Sequence, residues 1–182
     1  MIIQRFPLNP IFENVFLTGY LLSSKPKTQA VLIIPGGAFL GIDEDELEPV
    51  IVNYLHQGHS VFTLNYSIGA PYARFPAPFD ELMQAVDFII KNAHGLRVHS
   101  DRIKLCGIGT GAFFINWWSH QSNLEDTVKC HFELETISPI ENFHTLSTVL
   151  DNPVFLEMVY RATFGTVSPS ENQLDTWVYT KI

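Results

Sequence analysis

Two short, mainly apolar runs in this chain each end in a glycine-rich turn, and this pairing limits the possible folds more than any other feature. The first, Ala30-Val-Leu-Ile-Ile34, runs into Pro35-Gly36-Gly37. The second, Ile103 to Cys106, runs into Gly107-Ile-Gly-Thr-Gly111. Five apolar residues without alternation are expected of a strand covered on both faces, which is the habit of parallel sheets. Between and around the two runs, strand and helix signals alternate. Val15 to Leu22, Ser60 to Tyr66 and Phe132 to Ile137 read as further strands. Helical patterns cover about Glu48 to Gln57, with Pro49 expected in the first turn and Gly58 at the end. Phe79 to Asn92 is amphipathic, with Leu82, Ala85, Val86 and Ile89 on one side. Ala112 to His120 and Pro153 to Ala162 complete the helices, and polar, turn-rich residues follow to Ile182. The alternation predicts an α/β fold, a mostly parallel sheet with helices on both faces. Function in such sheets sits at the carboxyl ends of the strands, where both glycine-rich loops fall.

Length and composition narrow the class further. The 182 residues, 46% of them hydrophobic and 16% charged, predict one domain, residues 1–182, with a core of its own. No apolar run reaches membrane-spanning length, and Met1 to Pro10 lacks the basic start and apolar stretch of a signal peptide. Cys106 and Cys130 are too few for a disulfide framework, so the expectation is a cytoplasmic protein. The net charge of -8 argues against a nucleic-acid partner, and nothing suggests a membrane partner or a resident cofactor. The acidic run Asp43 to Glu48 reads as a solvated face or a helix start, with no histidine beside it, so no metal site is expected. His56 and His59 read as surface residues and Cys106 as buried and inert. Trp117 and Trp118, adjacent on one helix, cannot share a face, so at least one is core.

Strand, then Gly-x-x-x-Gly, then helix is the shape of a nucleophile elbow, in which the central residue carries an attacking serine on a strained turn. The oxyanion hole of such a site comes from the N–H after the nucleophile and from an earlier glycine-rich loop. With these residues in view, the chain resembles the esterase/lipase branch of the α/β-hydrolase fold, its acetyl-esterase-like members above all. The resemblance rests on Val31-Leu-Ile-Ile-Pro-Gly-Gly-Ala-Phe39, Glu46-Leu-Glu-Pro-Val50, Phe62 to Tyr66 and Phe75-Pro-Ala-Pro78. It continues through Asp101-Arg-Ile-Lys-Leu-Cys-Gly107 and Ser138-Pro-Ile-Glu-Asn-Phe143, and covers about residues 12 to 170. It implies a hydrolase of short acyl esters, with Gly107 and Gly111 framing the elbow. The oxyanion donors would be Gly37, Ala38 and Thr110, and Thr110 would offer its N–H while its side chain points away from substrate.

The departures from the family pattern carry as much weight. The nucleophile position holds Gly109, which has no side chain to attack with. The family's acid and histidine lie after a seventh and eighth strand. This chain ends before those strands, and its last histidine is His144. Ser119 lies about two turns down the helix, and Ser138, which follows the strand at Phe132 to Ile137, has no evident base to activate it. The expectation is therefore an α/β-hydrolase-like sheet without its last two strands, derived from a carboxylic-ester hydrolase and inactive or impaired.

Other readings stay open from the sequence. The chain is a truncated or split esterase completed by another polypeptide, or a module that holds a small acyl or anionic ligand on the oxyanion loops. Gly107-x-Gly109-x-x-Ala112 also satisfies the dinucleotide pattern, with Glu133 or Glu135 some twenty residues on for a ribose. A sheet that stops at Phe132 to Ile137 leaves an open edge beside apolar surface, which predicts a homo-oligomer. Only Thr176 to Thr180 has the composition of a strand that could blunt that edge.

Overall fold

The structure, a computed structural model, describes residues 1–23, 26–121 and 129–179. Among the described residues, six strands form one sheet: β1 (Ile2–Pro7), β2 (Phe16–Leu21), β3 (Thr28–Ile34), β4 (Ser60–Asn65), β5 (Val98–Ile108) and β6 (His131–Ile137). Their order is β1-β2-β4-β3-β5-β6. The β1–β2 and β2–β4 pairs are antiparallel, and the rest are parallel. The buried run Ala30–Ile34 lies between β4 and β5, which explains its unbroken apolar character. β1 has no such pattern. It is an edge strand, exposed along most of its length, so no periodicity marks it in the sequence.

Helix α1 (Glu44–His56) covers one face of the sheet, packing Ile51 and Tyr54 on Val31, Ile33, Val61, Cys106 and Ile108. It starts four residues earlier than the sequence suggests. The Asp43 side chain accepts the Glu46 N–H, so Glu44, Asp45 and Glu46 form the first turn and Pro49 lies inside the helix. Carboxylates there favour the positive end of the helix dipole. The other face carries α2 (Ala77–Leu96), α3 (Ala112–Ser119), α4 (Phe143–Val149), α5 (Pro153–Phe164) and α6 (Glu171–Thr176).

The last segment departs from its expected conformation. Residues 171–176 are helical, begun by a reciprocal Ser170–Gln173 capping box, and Trp177–Tyr179 make a 3-10 turn rather than a strand. Residue 180 lies outside the described residues. The segment folds back onto helices, not onto β6. Trp177 stacks on Phe79 (5.6 Å between ring centres, 13° between planes) and packs against Phe113 at 4.8 Å. Phe143 meets Phe113 at 4.9 Å, and Trp117 stacks on Phe79 at 5.0 Å. Both tryptophans of α3 are buried, and Trp118 turns to Phe132 of β6 instead. Among the described residues β6 pairs only with β5, so it is the second edge of the sheet.

The surface beside that edge is also not the apolar one expected. On the α1 side, β5 and β6 carry Lys104, Glu133 and Glu135. Lys104 Nζ lies 3.0 Å from Glu135 and 3.6 Å from Glu133, and Gln29 donates to Glu133 at 2.9 Å. That amide and the lysine hold the Glu133 carboxyl below its usual range. On the α3 side the apolar exposure is small, with Leu134 the large exposed side chain of the strand.

Candidate active site

The two glycine-rich loops meet at the carboxyl ends of β3 and β5. Gly107 ends the parallel ladder opposite Ile34, and the chain then turns through Gly109–Gly111 into α3. A side chain on Gly111 would run into the Ile34 carbonyl, and one on Gly107 into the carbonyl of Gly111. These two glycines therefore let strand end, turn and neighbouring loop pass at backbone contact distance. Gly109 is different. Its φ is 52°, and a Cβ placed on it would meet only ordinary contacts, 3.7 Å to Glu46 Oε2 and 3.9 Å to Gly36 Cα. The apex of the turn thus has room for a side chain and carries none. The Ile140 N–H donates to the Gly109 carbonyl at 2.9 Å, so the loop after β6 braces the turn.

The loop after β3 is held just as firmly. Gly37, Ala38 and Phe39 all have positive φ, at 126°, 55° and 61°. The Asp43 N–H donates to the Gly36 carbonyl and the buried Tyr66 hydroxyl to that of Pro35. Two consecutive non-glycine residues in the left-handed region are uncommon and mark a loop fixed by its surroundings.

The Thr110 side chain points into the loop after β3. Thr110 Oγ1 accepts hydrogen bonds from the N–H groups of Gly37 (3.1 Å) and Ala38 (2.9 Å), and the residue is buried. Two of the three donors assigned to an oxyanion hole are therefore bound to a hydroxyl of the same chain. The Glu46 carboxylate, on the first turns of α1, stands over the apex. An open depression of 450 Å³ next to Gly37 is lined by Gly41, Ile42, Asp43, Glu44 and Asp45, with no basic side chain. Sequence reasoning missed Glu46 and the Thr110 hydroxyl because both contacts join residues far apart in the chain. The one available signal was a hydroxyl residue directly after the glycine at the apex.

The remaining candidates do not converge on this place. Ser119 donates to the Asn116 carbonyl at 2.8 Å near the far end of α3. Ser138 is exposed at the end of β6. Cys106 is buried and its thiol is pushed up to about 11, chiefly by burial. The dinucleotide reading loses its geometry as well. The α3 N-terminus is buried behind the Ile34 carbonyl, and Glu133 and Glu135 are engaged with Lys104 on the α1 side. Among the described residues, no group of three or more His, Cys, Asp or Glu side chains is placed to hold a metal ion.

A protein-family model matches residues 20–160, under the description BD-FAE, an esterase family of the α/β-hydrolase fold. The chain belongs to the BD-FAE family. Similar proteins are consistent with this. The chain is 26% identical over 123 residues to endo-1,4-beta-xylanase B of Butyrivibrio fibrisolvens, an alignment over 60% of this chain and 19% of that protein. It also superposes on solved hydrolases. An acetyl ester-xyloside bifunctional hydrolase from Caldicellulosiruptor lactoaceticus gives a TM-score of 0.74 at 22% identity, over 96% of this chain and 68% of that one. An α/β hydrolase enzyme from a Medee basin deep-sea metagenome library gives 0.63 at 28% identity, over 68% and 53%. A carboxylesterase from Lactobacillus plantarum gives 0.65 at 21% identity, over 79% and 58%. The chain thus spans about half of the metagenome hydrolase and a fifth of the xylanase. The α/β-hydrolase architecture expected from the sequence is the one found, and the chain resembles an ester hydrolase through most of its length.

Proposed function

We propose that this BD-FAE chain is a non-hydrolytic relative of the carboxylic-ester hydrolases, a scaffold of that fold whose reaction centre is disabled. One observation carries the reading. The apex of the elbow is Gly109, a position with room for a side chain but without one. Acyl transfer through a covalent intermediate needs a nucleophile at that place. A split esterase completed by a second polypeptide is disfavoured for the same reason, since a supplied acid and histidine would find no hydroxyl to activate. A chain with two cysteines, both buried, fits a reducing compartment, so a cytoplasmic location is part of the proposal. Among the described residues no helix is long and apolar enough to cross a membrane.

The test is hydrolysis of p-nitrophenyl acetate, an acetyl ester, the ester class named for one of the structural neighbours. Purified chain is expected to give no turnover above a heat-killed control and no labelling by a serine-directed fluorophosphonate. Turnover that the fluorophosphonate abolishes overturns the proposal.

A further inference from the structure

Hydrogen-bond donors in a buried loop need acceptors, and the identity of the acceptor says what the site would take. At the Gly37–Ala38 corner two adjacent N–H groups converge on one oxygen, Thr110 Oγ1, at 3.1 and 2.9 Å. Convergent backbone donors of this kind suit an oxygen that bears negative charge, such as a carboxylate or a tetrahedral oxyanion. Here they hold the neutral hydroxyl of Thr110, a residue that is 3% exposed. The contact spans more than seventy residues of chain and ties the turn after β5 to the loop after β3.

We infer that the Gly37–Ala38 corner is a latent binding site for a small carboxylate, held shut by the Thr110 hydroxyl as its internal ligand. This rests on the non-hydrolytic reading of the same site, and it names what fills the place where an ester's oxygen would have gone. The geometry gives three reasons for the closed state to dominate. Thr110 is covalently part of the loop pair, so no translational freedom is lost when it binds. A threonine side chain is stiff at χ1, so holding one rotamer costs little. Glu46, above Gly109, and the acidic lining of the adjoining depression repel an incoming anion. An anion reaches the two N–H groups once the hydroxyl is removed without being replaced by a group of equal size.

The experiment follows the backbone amides of Gly37 and Ala38 by NMR in labelled protein. Sodium acetate is raised into the hundreds of millimolar against sodium chloride at matched ionic strength. In the natural chain and in Thr110→Ser, which keeps the hydroxyl, neither amide should respond to acetate beyond the chloride control. In Thr110→Ala both should move saturably, with half-saturation in the tens of millimolar. Thr110→Val fills the space without an acceptor. There the two amides should shift as the hydrogen bonds are lost, and acetate should add nothing.

Saturable acetate shifts at these amides in the natural chain overturn the closed state. Acetate-indifferent amides in a folded Thr110→Ala overturn the latent site. Should Thr110→Ala fail to fold, hydrogen exchange decides through the other variants. Gly37 and Ala38 amides protected in the natural chain and in Thr110→Ser, and unprotected in Thr110→Val, support the hydroxyl as ligand. Equal protection in all three overturns it. Neither readout measures ester turnover, so the inference and the proposed lack of hydrolysis fail separately.

Discussion

Gly109 and Gly111 stand two residues apart and should tolerate a side chain very differently. At Gly111 an added Cβ meets the Ile34 carbonyl, a backbone atom that cannot swing aside, so Gly111→Ala should cost about 3 kcal/mol or more, or abolish folding. At Gly109 the space is open and only the positive φ opposes a side chain. Gly109→Ser should therefore cost about 1–3 kcal/mol in urea melts and leave p-nitrophenyl acetate untouched. A neutral or stabilising Gly109→Ser would mean that the turn is not strained. Elsewhere one carboxylate sets a pH dependence. Glu81 of α2 is buried, and accepts the Ser67 N–H at 2.7 Å and the Ser67 hydroxyl at 2.5 Å. Burial raises its carboxyl above the usual range, and Asp80 adds to this, although both Ser67 hydrogen bonds act the other way. The folded state thus holds the Glu81 proton more tightly than the unfolded chain does. Its contribution to stability is complete below the ordinary carboxylate range and declines as pH rises through the raised value. Glu81→Gln can keep both Ser67 contacts without the charge. It should lose that decline, gaining on the natural chain between acid and neutral pH in paired melts. A stability difference that stays constant with pH would show that the carboxylate is not the source.

The elements legible in the sequence are those whose burial leaves a pattern. β3 reads as an apolar run because both its faces are covered, and α2 reads as amphipathic because one face is. The elbow was legible too, since its glycines are required by backbone contact. β1 was not, because an exposed edge strand has no buried face to give a period. Thr176 to Thr180 misled for a different reason. Threonine, tryptophan, valine and tyrosine favour strands when they find a sheet, but here Ser170 and Gln173 start a helix just before them and the aromatic cluster captures Trp177. The Thr110 contact was illegible because its partners lie in another loop, and a hydroxyl after the apex glycine does not say which groups it binds. The role of Trp177 yields a prediction. It joins Phe79 of α2, Phe113 of α3 and Phe143 of α4, and is 5% exposed. Trp177→Ala should cost about 3–5 kcal/mol and expose residues beyond Phe143 to limited proteolysis. A loss under about 1 kcal/mol would mean that the C-terminal helices are held by other contacts.

At the scale of the molecule, the two edges of the sheet differ. β1 is crossed by Arg5, which lies 3.3 Å over the Phe16 ring, and ends at Pro7, a residue with no N–H to offer another strand. β6 has neither device. The C-terminal segment, which could have covered it, packs on α2 and α3 instead, so the proposed homo-oligomer would form through this strand. A twofold antiparallel pairing centred on Leu134 sets Leu134 against its counterpart on the α3 side, each 41% exposed in the monomer, with Phe132 against Thr136. On the α1 side the same pairing sets Glu133 against Glu135 twice over. Like charges directly opposite are destabilising, and Lys104 neutralises only part of them. A net charge of -8 per chain adds a longer-range repulsion. Backbone pairing and the Leu134 contact thus favour association, while charge opposes it and is the term that salt screens. The expected behaviour is a monomer–dimer equilibrium that moves toward dimer as sodium chloride is raised. Leu134→Lys should abolish the dimer at every ionic strength without unfolding the chain. Light scattering over protein concentration at low and high salt reads this directly. A monomer that persists at high micromolar concentration in high salt would show that two glutamates on the strand suffice to keep the edge free.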